Sequence, residues 1–386
     1  MREKVCIGDL GTIITGKTPS KTNKSYYGNY VAFIKPTDIS EDSKFTYETE
    51  EMYSKLAAEK YKSSLIPKGA ICIPCIGTIG TKMTMTHCAC YTNQSINTII
   101  CNENYDNEYV YYLMKNFLPN LKSYNLGTAS GREFISKSNF EKIEIVVEQN
   151  KNIQKEIGKF LSRYDSLIEN YQKQIKLLEE SAQRLYKEWF IDLRFPGHEN
   201  TKIVDGVPEG WEKANLGTLV EFKRGKTITK KEAVEGNIPV VAGGLEPAYY
   251  CNKSNTSERV ITISASGANA GYTRMYFEKL WASDCSFADN SMTPYLHFIF
   301  CFLRDNKTTI DNMQKGSAQP HVYAKDINAM ELCLPETSIL HTFENKVCKC
   351  FDTISYLLSQ INHLTEARDR LLPKLINRNE SLIHII

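Results

Sequence analysis

Two Gly-Lys-Thr turns are the segments of this sequence whose residue types most directly suggest phosphate chemistry. They occupy residues 16–18 and 225–227. A nucleotide-phosphate loop carries a further glycine five residues before its Gly-Lys-Ser/Thr triplet, so that backbone amides can surround the phosphates. The second copy, KRGKT at 223–227, lacks that glycine. We therefore predict no nucleotide-binding loop in the chain.

A cluster of cysteines suggests a different chemistry. Cys72 and Cys75 are followed by His87, Cys88 and Cys90, a set that could ligate zinc. However, ICIPCI has the apolar character of a strand, in which residues three apart face opposite sides. We therefore favour buried, reduced thiols and predict no metal site. The same interpretation applies to the pair in the predicted C-terminal helix, Cys348 and Cys350.

Composition limits the class of protein but not its function. The 386 residues are 42% hydrophobic and 24% charged, with a formal net charge of +2, which is ordinary for a soluble chain of two or three domains. No apolar run approaches the roughly 20 residues of a membrane helix, and MREKVCIGDL has no signal-peptide core. We expect a cytoplasmic protein with no membrane partner. Any nucleic-acid binding would have to come from local basic loops.

The elements that would position these residues occur twice. IGDLGTIITGKT and NLGTLVEFKRGKT both contain Leu-Gly-Thr, a strand-like run and Gly-Lys-Thr, with three extra residues in the second copy. Residues 67–83 then match residues 257–275, because each is an apolar run that leads into a glycine loop. A basic residue follows each loop, Lys82 in the first copy and Arg274 in the second. Landmarks repeated in the same order indicate an internal duplication.

Each copy ends with a similar loop, an alternating strand and a long helix. GTASGREF at 127–134 corresponds to GSAQPHVY at 316–323. Apolar residues then recur in steps of three and four, which predicts a narrow coiled-coil seam. About 38 residues at about 1.5 Å each would make a rod of roughly 57 Å. We assign the seam to Ile153, Ile157, Phe160, Tyr164, Leu167, Tyr171, Ile175, Leu178, Ala182, Leu185 and Trp189, and to Phe343, Val347, Cys350, Ile354, Leu357, Ile361, Leu364, Ala367 and Leu371.

The predicted architecture is globule, helix, globule, helix, with a connection rich in Gly and Pro at 195–211. Short β-branched and aromatic runs make the globules α+β. If a two-fold axis relates the copies, the helices run antiparallel and each globule presents the same surface in the opposite orientation. Such a chain suits duplex DNA that is read at two separated half-sites. A coiled-coil scaffold with no role on DNA is the alternative that the pattern leaves open.

The junction between the copies resembles that of type I restriction–modification specificity subunits. In LYKEWFIDLRFPGHENTKIVDGVPEGWEKANLGTL (185–219), a helix passes through an aromatic exit to a Pro-x-Gly-Trp motif at 208–211. GSAQPHVY also resembles the Gly-Ser-x-Gln-Pro turn of that family. The resemblance extends over nearly the whole chain, since domain order, lengths and both helices match. The first copy departs from it, because GTASGREF contains no Gln-Pro.

The resemblance implies an α+β fold with two target recognition domains. These would be pseudo-two-fold related α/β domains, each followed by a long helix, and the helices would pair as an antiparallel coiled coil. The implied bounds are 1–150 and 211–336 for the recognition domains, 151–192 for the central helix, 193–210 for the linker, 337–378 for the distal helix and 379–386 for the tail.

The resemblance also implies a non-catalytic subunit of a prokaryotic, cytoplasmic complex that recognises double-stranded DNA. Each domain would read one half-site and the helix pair would set the spacer, while two methyltransferase subunits dock around the helices and restriction translocase subunits can join. S-adenosylmethionine, ATP and magnesium would belong to those partners, and this chain would hold no cofactor. The sequence contains no Asn/Asp-Pro-Pro-aromatic motif of a base methyltransferase. A type IIB-like restriction system shares this plan and is a second possibility.

Candidate DNA contacts are the polar and basic residues of the repeated loops. Arg and Lys suit guanine edges and phosphates, Asn and Gln suit adenine, and glycine loops let backbone amides approach phosphates. In the first domain the candidates are Lys17, Thr18, Lys35, Thr78, Thr81, Lys82, Ser130 and Arg132. In the second domain they are Lys223, Arg224, Lys226, Ser264, Ser266, Asn269, Arg274, Gln319 and His321. We assign no catalytic residue.

The aromatic exit of the central helix has two interpretations. Tyr186, Trp189, Phe190 and Phe195 could pack the helix end against the base of a domain. Tyr and Trp are also enriched in protein interfaces, so a partner surface is the competing interpretation.

Overall fold

The chain falls into two compact units. The computed structural model describes residues 2–125, 127, 133–314 and 320–377. One unit comprises residues 1–171 with 360–386, and the other comprises residues 172–359. Each unit contains one globule together with part of each long helix.

The first globule is built from short strands and three short helices, and the first long helix follows it. Its strands are β1 (Arg2–Cys6), β2 (Gly11–Thr15), β3 (Tyr27–Ile34), β4 (Glu51–Tyr53), β5 (Ile71–Pro74), β6 (Thr84–Met85), β7 (Tyr91–Thr92), β8 (Ile96–Cys101) and β9 (Glu144–Glu148). Its helices are α1 (Lys55–Lys60), α2 (Asn107–Phe117) and α3 (Lys137–Glu141), and the long helix is α4 (Lys151–Tyr186).

Two sheets and one strand pair hold this globule together. The four-stranded antiparallel sheet has the order β2-β8-β5-β6, and the three-stranded sheet has the order β4-β3-β7, with β7 parallel to β3. β1 pairs with β9, so the start of the globule lies beside its end. Ile71 and Ile73 of β5 are fully buried and pack in one cluster with Val110 of α2. The apolar alternation of the strands therefore builds a core between the sheet and that helix.

The second globule repeats this construction. Its strands are β10 (Ile203–Val204), β11 (Val207–Pro208), β12 (Glu212–Asn215), β13 (Lys223–Arg224), β14 (Ile238–Val241), β15 (Tyr249–Cys251), β16 (Val260–Ser264), β17 (Thr273–Tyr276), β18 (Trp281–Ala282), β19 (Cys285–Asp289) and β20 (Glu331–Leu334). Its helices are α5 (Leu296–Asp305), α6 (Lys307–Asn312) and α7 (Ala324–Asn328), and α8 (Thr337–Ile376) is the second long helix.

The sheet orders confirm the duplication. β13-β19-β16-β17 and β15-β14-β18 reproduce the two sheets of the first globule, including the parallel pairing of β14 with β18. β12 pairs with β20 as β1 pairs with β9. The hairpin of β10 and β11 has no counterpart in the described part of the first globule and precedes β12, where the repeat begins.

The structure corrects the alignment of the two Leu-Gly-Thr triplets. The amide of Ile7 donates to the carbonyl of Ile143, and the amide of Leu216 donates equivalently to Met330. Gly8 and Gly217 then approach the ends of α3 and α7 in the same way. Ile7 therefore corresponds to Leu216, and the predicted three-residue insertion before the second Gly-Lys-Thr is wrong.

The two long helices pair within each unit. In the first unit, Ile157 and Leu161 of α4 share a cluster with Leu372 and Leu375 of α8. In the second unit, Tyr186 packs edge-on against Phe343, near the start of α8. Early residues of one helix therefore meet late residues of the other, as in an antiparallel pair. The helices span 36 and 40 residues, which agrees with the predicted length.

The predicted seam of α4 is right at its start and wrong at Tyr164 and Leu167. Ile157 is buried, and Ile153 and Phe160 pack against the same core cluster. Further along, Leu167 is 42% exposed, and the buried positions are Asp165 and Ile168. The spacing was right, but here the buried face lies one residue later. The reason is that a buried polar residue, Asp165, occupies a seam position that an apolar pattern cannot identify.

The aromatic exit of α4 packs against the second globule. Tyr186 and Phe190 contact the ring of Phe298 on α5, with centroids 5.7 and 4.9 Å apart. Phe195 lies against Trp211 at 4.8 Å, so the two ends of the junction meet in one aromatic cluster. This confirms the interpretation in which the helix end packs against the base of a domain.

Three of the four cysteines of the first cluster, Cys72, Cys75 and Cys90, are buried thiols. Cys72 of β5 and Cys75, the residue directly after β5, pack in different hydrophobic clusters, as expected for side chains three residues apart in extended backbone. Burial raises the pKa of both thiols to about 12. Cys88 is exposed, with its sulfur 3.3 Å from His87 Nε2. Among the described residues, no group of three or more His, Cys, Asp or Glu side chains is placed to hold a metal ion.

Candidate nucleic-acid interface

Four segments of the second globule meet at one end of its four-stranded sheet. They are the Gly-Lys-Thr turn, residues 282–285 where β18 leads into β19, the glycine loop after β16 and the segment before α7. In the Gly-Lys-Thr turn, the amide of Gly225 donates to Cys285 O at 2.8 Å and that of Lys226 to Ala282 O at 2.9 Å. The glycine loop after β16 joins the same end, because the Ala265 amide donates to Asp284 O at 3.2 Å. The segment before α7 completes it through a bond from the Val322 amide to Ala265 O at 3.0 Å.

The first globule brings together the same four segments with the same bonds. The amides of Gly16 and Lys17 donate to Ile96 O and Thr92 O, at 3.2 and 2.9 Å. The Cys75 amide donates to Ser95 O at 2.7 Å, and the Ile135 amide donates back to Cys75 O at 2.9 Å. The repeated motifs therefore build one loop surface in each domain.

The glycine of each Gly-Lys-Thr turn is required by a close approach of two backbones. A Cβ on Gly16 would lie 2.1 Å from Thr92 O, and a Cβ on Gly225 would lie 2.4 Å from Ser283 O. The first copy, residues 11–18, does satisfy Gly-x-x-x-x-Gly-Lys-Thr, so it was wrong to exclude that letter pattern for the whole chain from the second copy alone. Residues 11–15, however, form β2, and no helix begins at the turn. A phosphate loop of the nucleotide-binding kind needs a strand, a loop and then a helix.

A network of three side chains links the loops of the second domain. Arg224 Nη2 donates to Asp284 Oδ1 at 3.2 Å. Ser266 Oγ donates to the other carboxylate oxygen of Asp284. Arg224 ends β13, Ser266 lies in the glycine loop and Asp284 directly precedes β19. The carboxylate thus connects three segments that are far apart in sequence.

Two other candidates of the second domain support the glycine loop from within. Ser264 is buried and its hydroxyl donates to Gly243 O at 3.2 Å. Asn269 Nδ2 donates to the same carbonyl at 3.4 Å. Ser264 therefore does not present a free group at the surface, and its sequence-based assignment as a contact is not supported by its position.

Arg274 is tied to the loop between β14 and β15. Its Nη1 donates to Leu245 O at 2.7 Å and to Glu246 at 3.2 Å, and its guanidinium lies 4.8 Å from the ring centre of Tyr276. Burial lowers the pKa of Arg274, but Tyr276 and Glu246 outweigh that effect and raise it above the ordinary value. In the strand pairing of the second globule, Arg274 lies opposite Thr262, and at the equivalent position of the first globule Thr84 lies opposite Cys72. Thr84 is therefore the counterpart of Arg274, and Lys82 is not.

The Gly-Lys-Thr turn of the first domain presents exposed side chains on a fixed backbone. Lys17 O accepts a hydrogen bond from Tyr53 Oη at 2.5 Å, and Tyr53 is buried in an aromatic stack with Tyr91. Thr18 Oγ1 donates to Gln94 Oε1. Gln94 was not among the predicted residues, although its amide lies at the surface beside the turn.

Lys35 is the candidate whose charge is most fully compensated. Its Nζ lies 2.5 Å from Glu50 and 3.1 Å from Glu51. Burial lowers the pKa of Lys35, but the hydrogen bonds to both carboxylates outweigh it and raise the pKa above its ordinary value. A lysine held by two carboxylates is poorly suited to a phosphate contact. Its assignment is therefore less well supported than that of Lys17.

The remaining candidates have different surroundings. Thr78 and Thr81 are exposed on the loop after β5, and Lys82 is half-buried. His321 pairs with Ser266 in an isolated β-bridge and stacks on Tyr323, with ring centroids 6.0 Å apart. Three candidates lie outside the described residues: Ser130, Arg132 and Gln319.

Two basic residues of the second turn are exposed and unopposed. With the other described residues, Lys223 and Lys226 form no ion pair, and Lys226 O accepts from Trp281 Nε1 at 2.6 Å.

Asp284 was missed by sequence reasoning. It lies 60 residues from Arg224, and no local pattern connects an acid at that distance to the turn.

Comparison with known proteins gives a consistent result. The chain matches the family model "Type I restriction modification DNA specificity domain" over residues 2–180 and again over 208–365. It is 29% identical to the type I restriction enzyme MjaIX specificity subunit of Methanocaldococcus jannaschii, over 96% of this chain and 91% of that one. It is 34% identical to the HindI specificity subunit of Haemophilus influenzae, over 46% of this chain and 38% of that one.

A solved structure shares the fold. It is the S subunit of a type I restriction–modification system from M. genitalium, with a TM-score of 0.59 and 19% sequence identity. The match covers 97% of this chain and 96% of that chain. In the part of this chain that the structure describes, no helix is long and apolar enough to span a membrane.

Proposed function

The chain belongs to the type I restriction–modification DNA specificity family, and we propose that its two loop surfaces each read one half of a two-part DNA target. As a member of that family it is a non-catalytic, sequence-recognising subunit. The proposal concerns the two parts of the target, the spacer between them and the partner subunits described below.

The repeated loop surface is the observation that carries this proposal. Each domain joins a Gly-Lys-Thr turn, a glycine loop and the segment before a short helix at the same end of an equivalent sheet. Loops on a rigid sheet are well suited to binding, because the sheet fixes their backbones while their side chains vary. The two surfaces share one backbone arrangement but carry different side chains, which suits two half-sites of different sequence.

The side chains of these surfaces divide by their electrostatic surroundings. Lys17, Lys223 and Lys226 are exposed and are our candidates for phosphate contacts, which contribute affinity without sequence information. Thr18, Ser266 and Asn269 carry neutral polar groups beside the turns and are candidates for contacts to base edges. Lys35 and Ser264 take a supporting role in this assignment, because two carboxylates compensate the charge of Lys35 and Ser264 is buried.

The partners follow from family membership rather than from any site in this chain. We propose that two methyltransferase subunits bind around the helix pair, and that restriction translocase subunits associate with that complex. S-adenosylmethionine, ATP and magnesium would act in those subunits. We assign recognition domains to residues 1–150 and 211–336 and the spacer function to the helices that follow them.

Modification mapping tests the proposal. The chain is expressed with its methyltransferase subunit in a host that lacks other DNA modification, and methylated positions are determined across the genome. We expect one two-part motif with a fixed unspecified spacer. A host without methylation, or with methylation at a single continuous motif, would contradict the proposal, provided that the purified subunits form a stable complex.

Exchange of one domain gives the matched control. Residues 1–150 are replaced by the corresponding domain of another family member, while residues 211–336 are kept. One half of the motif should change and the other half and the spacer should stay the same. A simultaneous change in both halves would show that the two domains do not read independently.

A further inference from the structure

We propose that Arg224 reads a guanine in the half-site of the second domain, and that Asp284 is the residue that positions its guanidinium. This inference rests on the proposed function and adds to it a base, a residue and a half-site. Arg224 lies at the end of β13 with its side chain 57% exposed, directly before the Gly-Lys-Thr turn. It is therefore at the loop surface and accessible to a ligand.

Asp284 is held in place from several directions. One carboxylate oxygen accepts from Arg224 Nη2 at 3.2 Å and the other accepts from Ser266 Oγ. The backbone carbonyl of Asp284 accepts from the Ala265 amide at 3.2 Å. A carboxylate fixed by a hydroxyl and by its own backbone can orient the planar guanidinium, which reduces the rotamer freedom lost on binding.

The carboxylate argues for a base contact rather than a phosphate contact. An acid beside an arginine partly cancels the attraction of that arginine for the DNA backbone. It leaves the directional N–H groups of the guanidinium available, and a guanidinium has five of them. Two parallel N–H groups match the O6 and N7 acceptors of guanine in the major groove. The unopposed lysines of the same turn, Lys223 and Lys226, are better placed to bind phosphates.

The first domain does not repeat this pair. Two backbone hydrogen bonds fix the correspondence between the domains. The bond from the Gly16 amide to Ile96 O matches that from the Gly225 amide to Cys285 O. The bond from the Cys75 amide to Ser95 O matches that from the Ala265 amide to Asp284 O. Thr15 therefore stands where the second domain has Arg224. Ser95 likewise stands where it has Asp284. Thr15 Oγ1 instead donates to Asn97 at 2.7 Å. The proposed reader is consequently specific to one half-site.

Variants of the intact subunit in complex with its methyltransferase test this inference. Arg224→Lys keeps the charge and removes the planar fork, and Asp284→Asn keeps the shape and removes the positioning charge. Both should lower discrimination at one guanine of the second half-site, by about tenfold or more for Arg224→Lys, with the first half-site unchanged. Lys223→Ala is the comparison variant, and it should weaken binding to all sequences and reduce the salt dependence without altering the motif.

The outcomes separate this inference from the proposed function. If the wild-type motif is bipartite but its second half contains no G·C base pair, or if Arg224→Lys and Arg224→Gln both retain full discrimination, the reader is not Arg224. If Asp284→Asn keeps the discrimination that Arg224→Lys loses, the positioning role of Asp284 is wrong. If the wild-type complex gives no bipartite motif, the proposed function itself fails. Thermal unfolding of each variant confirms that the domain is folded.

Discussion

Asp165 of α4 and Arg368 of α8 form an ion pair in which both side chains are buried. Tyr112 of α2 donates its hydroxyl to the second carboxylate oxygen of Asp165, and Arg368 also pairs with Asp369. Burial and the adjacent Asp165 raise the pKa of Tyr112, which therefore remains a donor. One carboxylate thus connects the two long helices and the first globule within one unit.

Removing Arg368 should destabilise the unit strongly. Arg368→Met leaves Asp165 buried without its cation, and we expect a loss of about 3–5 kcal/mol in the free energy of unfolding. The double variant Asp165→Leu with Arg368→Met should recover part of that loss, because no buried charge is then left unpaired although the Tyr112 hydroxyl loses its acceptor. Urea unfolding monitored by circular dichroism measures both.

The control for that prediction lies two residues away. Arg370 pairs with Glu366 on the exposed face of the same helix, and Arg370→Met should change stability by no more than about 0.5 kcal/mol. Equal effects of the substitutions at 368 and 370 would mean that burial of the Asp165 pair contributes nothing.

This ion pair also shows what the sequence could and could not predict. Steps of three and four along the chain predicted both long helices and their lengths, because apolar spacing reflects helix geometry directly. The same spacing misplaced the seam at Tyr164 and Leu167, because the buried positions there are Asp165 and Ile168. A partner about 200 residues away in the sequence makes an aspartate acceptable there, and no local pattern carries that information.

Buried thiols should be unreactive in the folded chain. Burial raises the pKa of Cys72 and Cys75 to about 12, so almost no thiolate is present at pH 8. Iodoacetamide at pH 8 should label the exposed Cys88 and leave both buried thiols unlabelled until urea is added. Peptide mass spectrometry reads out each site, and rapid labelling of Cys72 in the native chain would contradict its position in the core.

The same thiols should make stability depend on alkaline pH. Their pKa is about 12 in the folded chain and 9.0 for an unperturbed thiol. The folded state therefore retains protons that the unfolded state releases, and the stabilisation is complete below pH 9 and is lost as the pH rises towards 12. Urea unfolding at pH 8 and pH 10 should show this decrease, and Cys72→Val should reduce its slope.

The glycines of the two Gly-Lys-Thr turns should be structural requirements. In Gly225→Ala the new Cβ would lie 2.4 Å from Ser283 O and 2.6 Å from Ala282 O. Backbone atoms cannot move aside as a side-chain end can, and we expect a loss of about 1–3 kcal/mol. Lys226→Ala, at the next exposed position, should leave stability within about 0.5 kcal/mol. Unchanged stability in Gly225→Ala would show that the turn tolerates a wider separation.

The loop surfaces were only partly predictable. The repeated motifs identified which loops belong together, because duplicated segments adopt the same backbone. They could not reveal that Lys35 is held by Glu50 and Glu51, or that Arg224 meets Asp284. Such pairs depend on strand order and register. These details decide which basic residues are available to a ligand.

The length of the helices should set the spacing of the two half-sites. Inserting four residues near Ile175 of α4, together with four in α8, adds about one helical turn, or roughly 5.4 Å. That length corresponds to about one or two base-pair rises of roughly 3.4 Å. We expect the spacer of the methylated motif to lengthen accordingly while both half-sites keep their sequence, because the loop surfaces are unchanged. Mapping of modified bases measures spacer and half-sites in the same experiment. An altered half-site with an unchanged spacer would mean that the helices influence recognition without measuring distance.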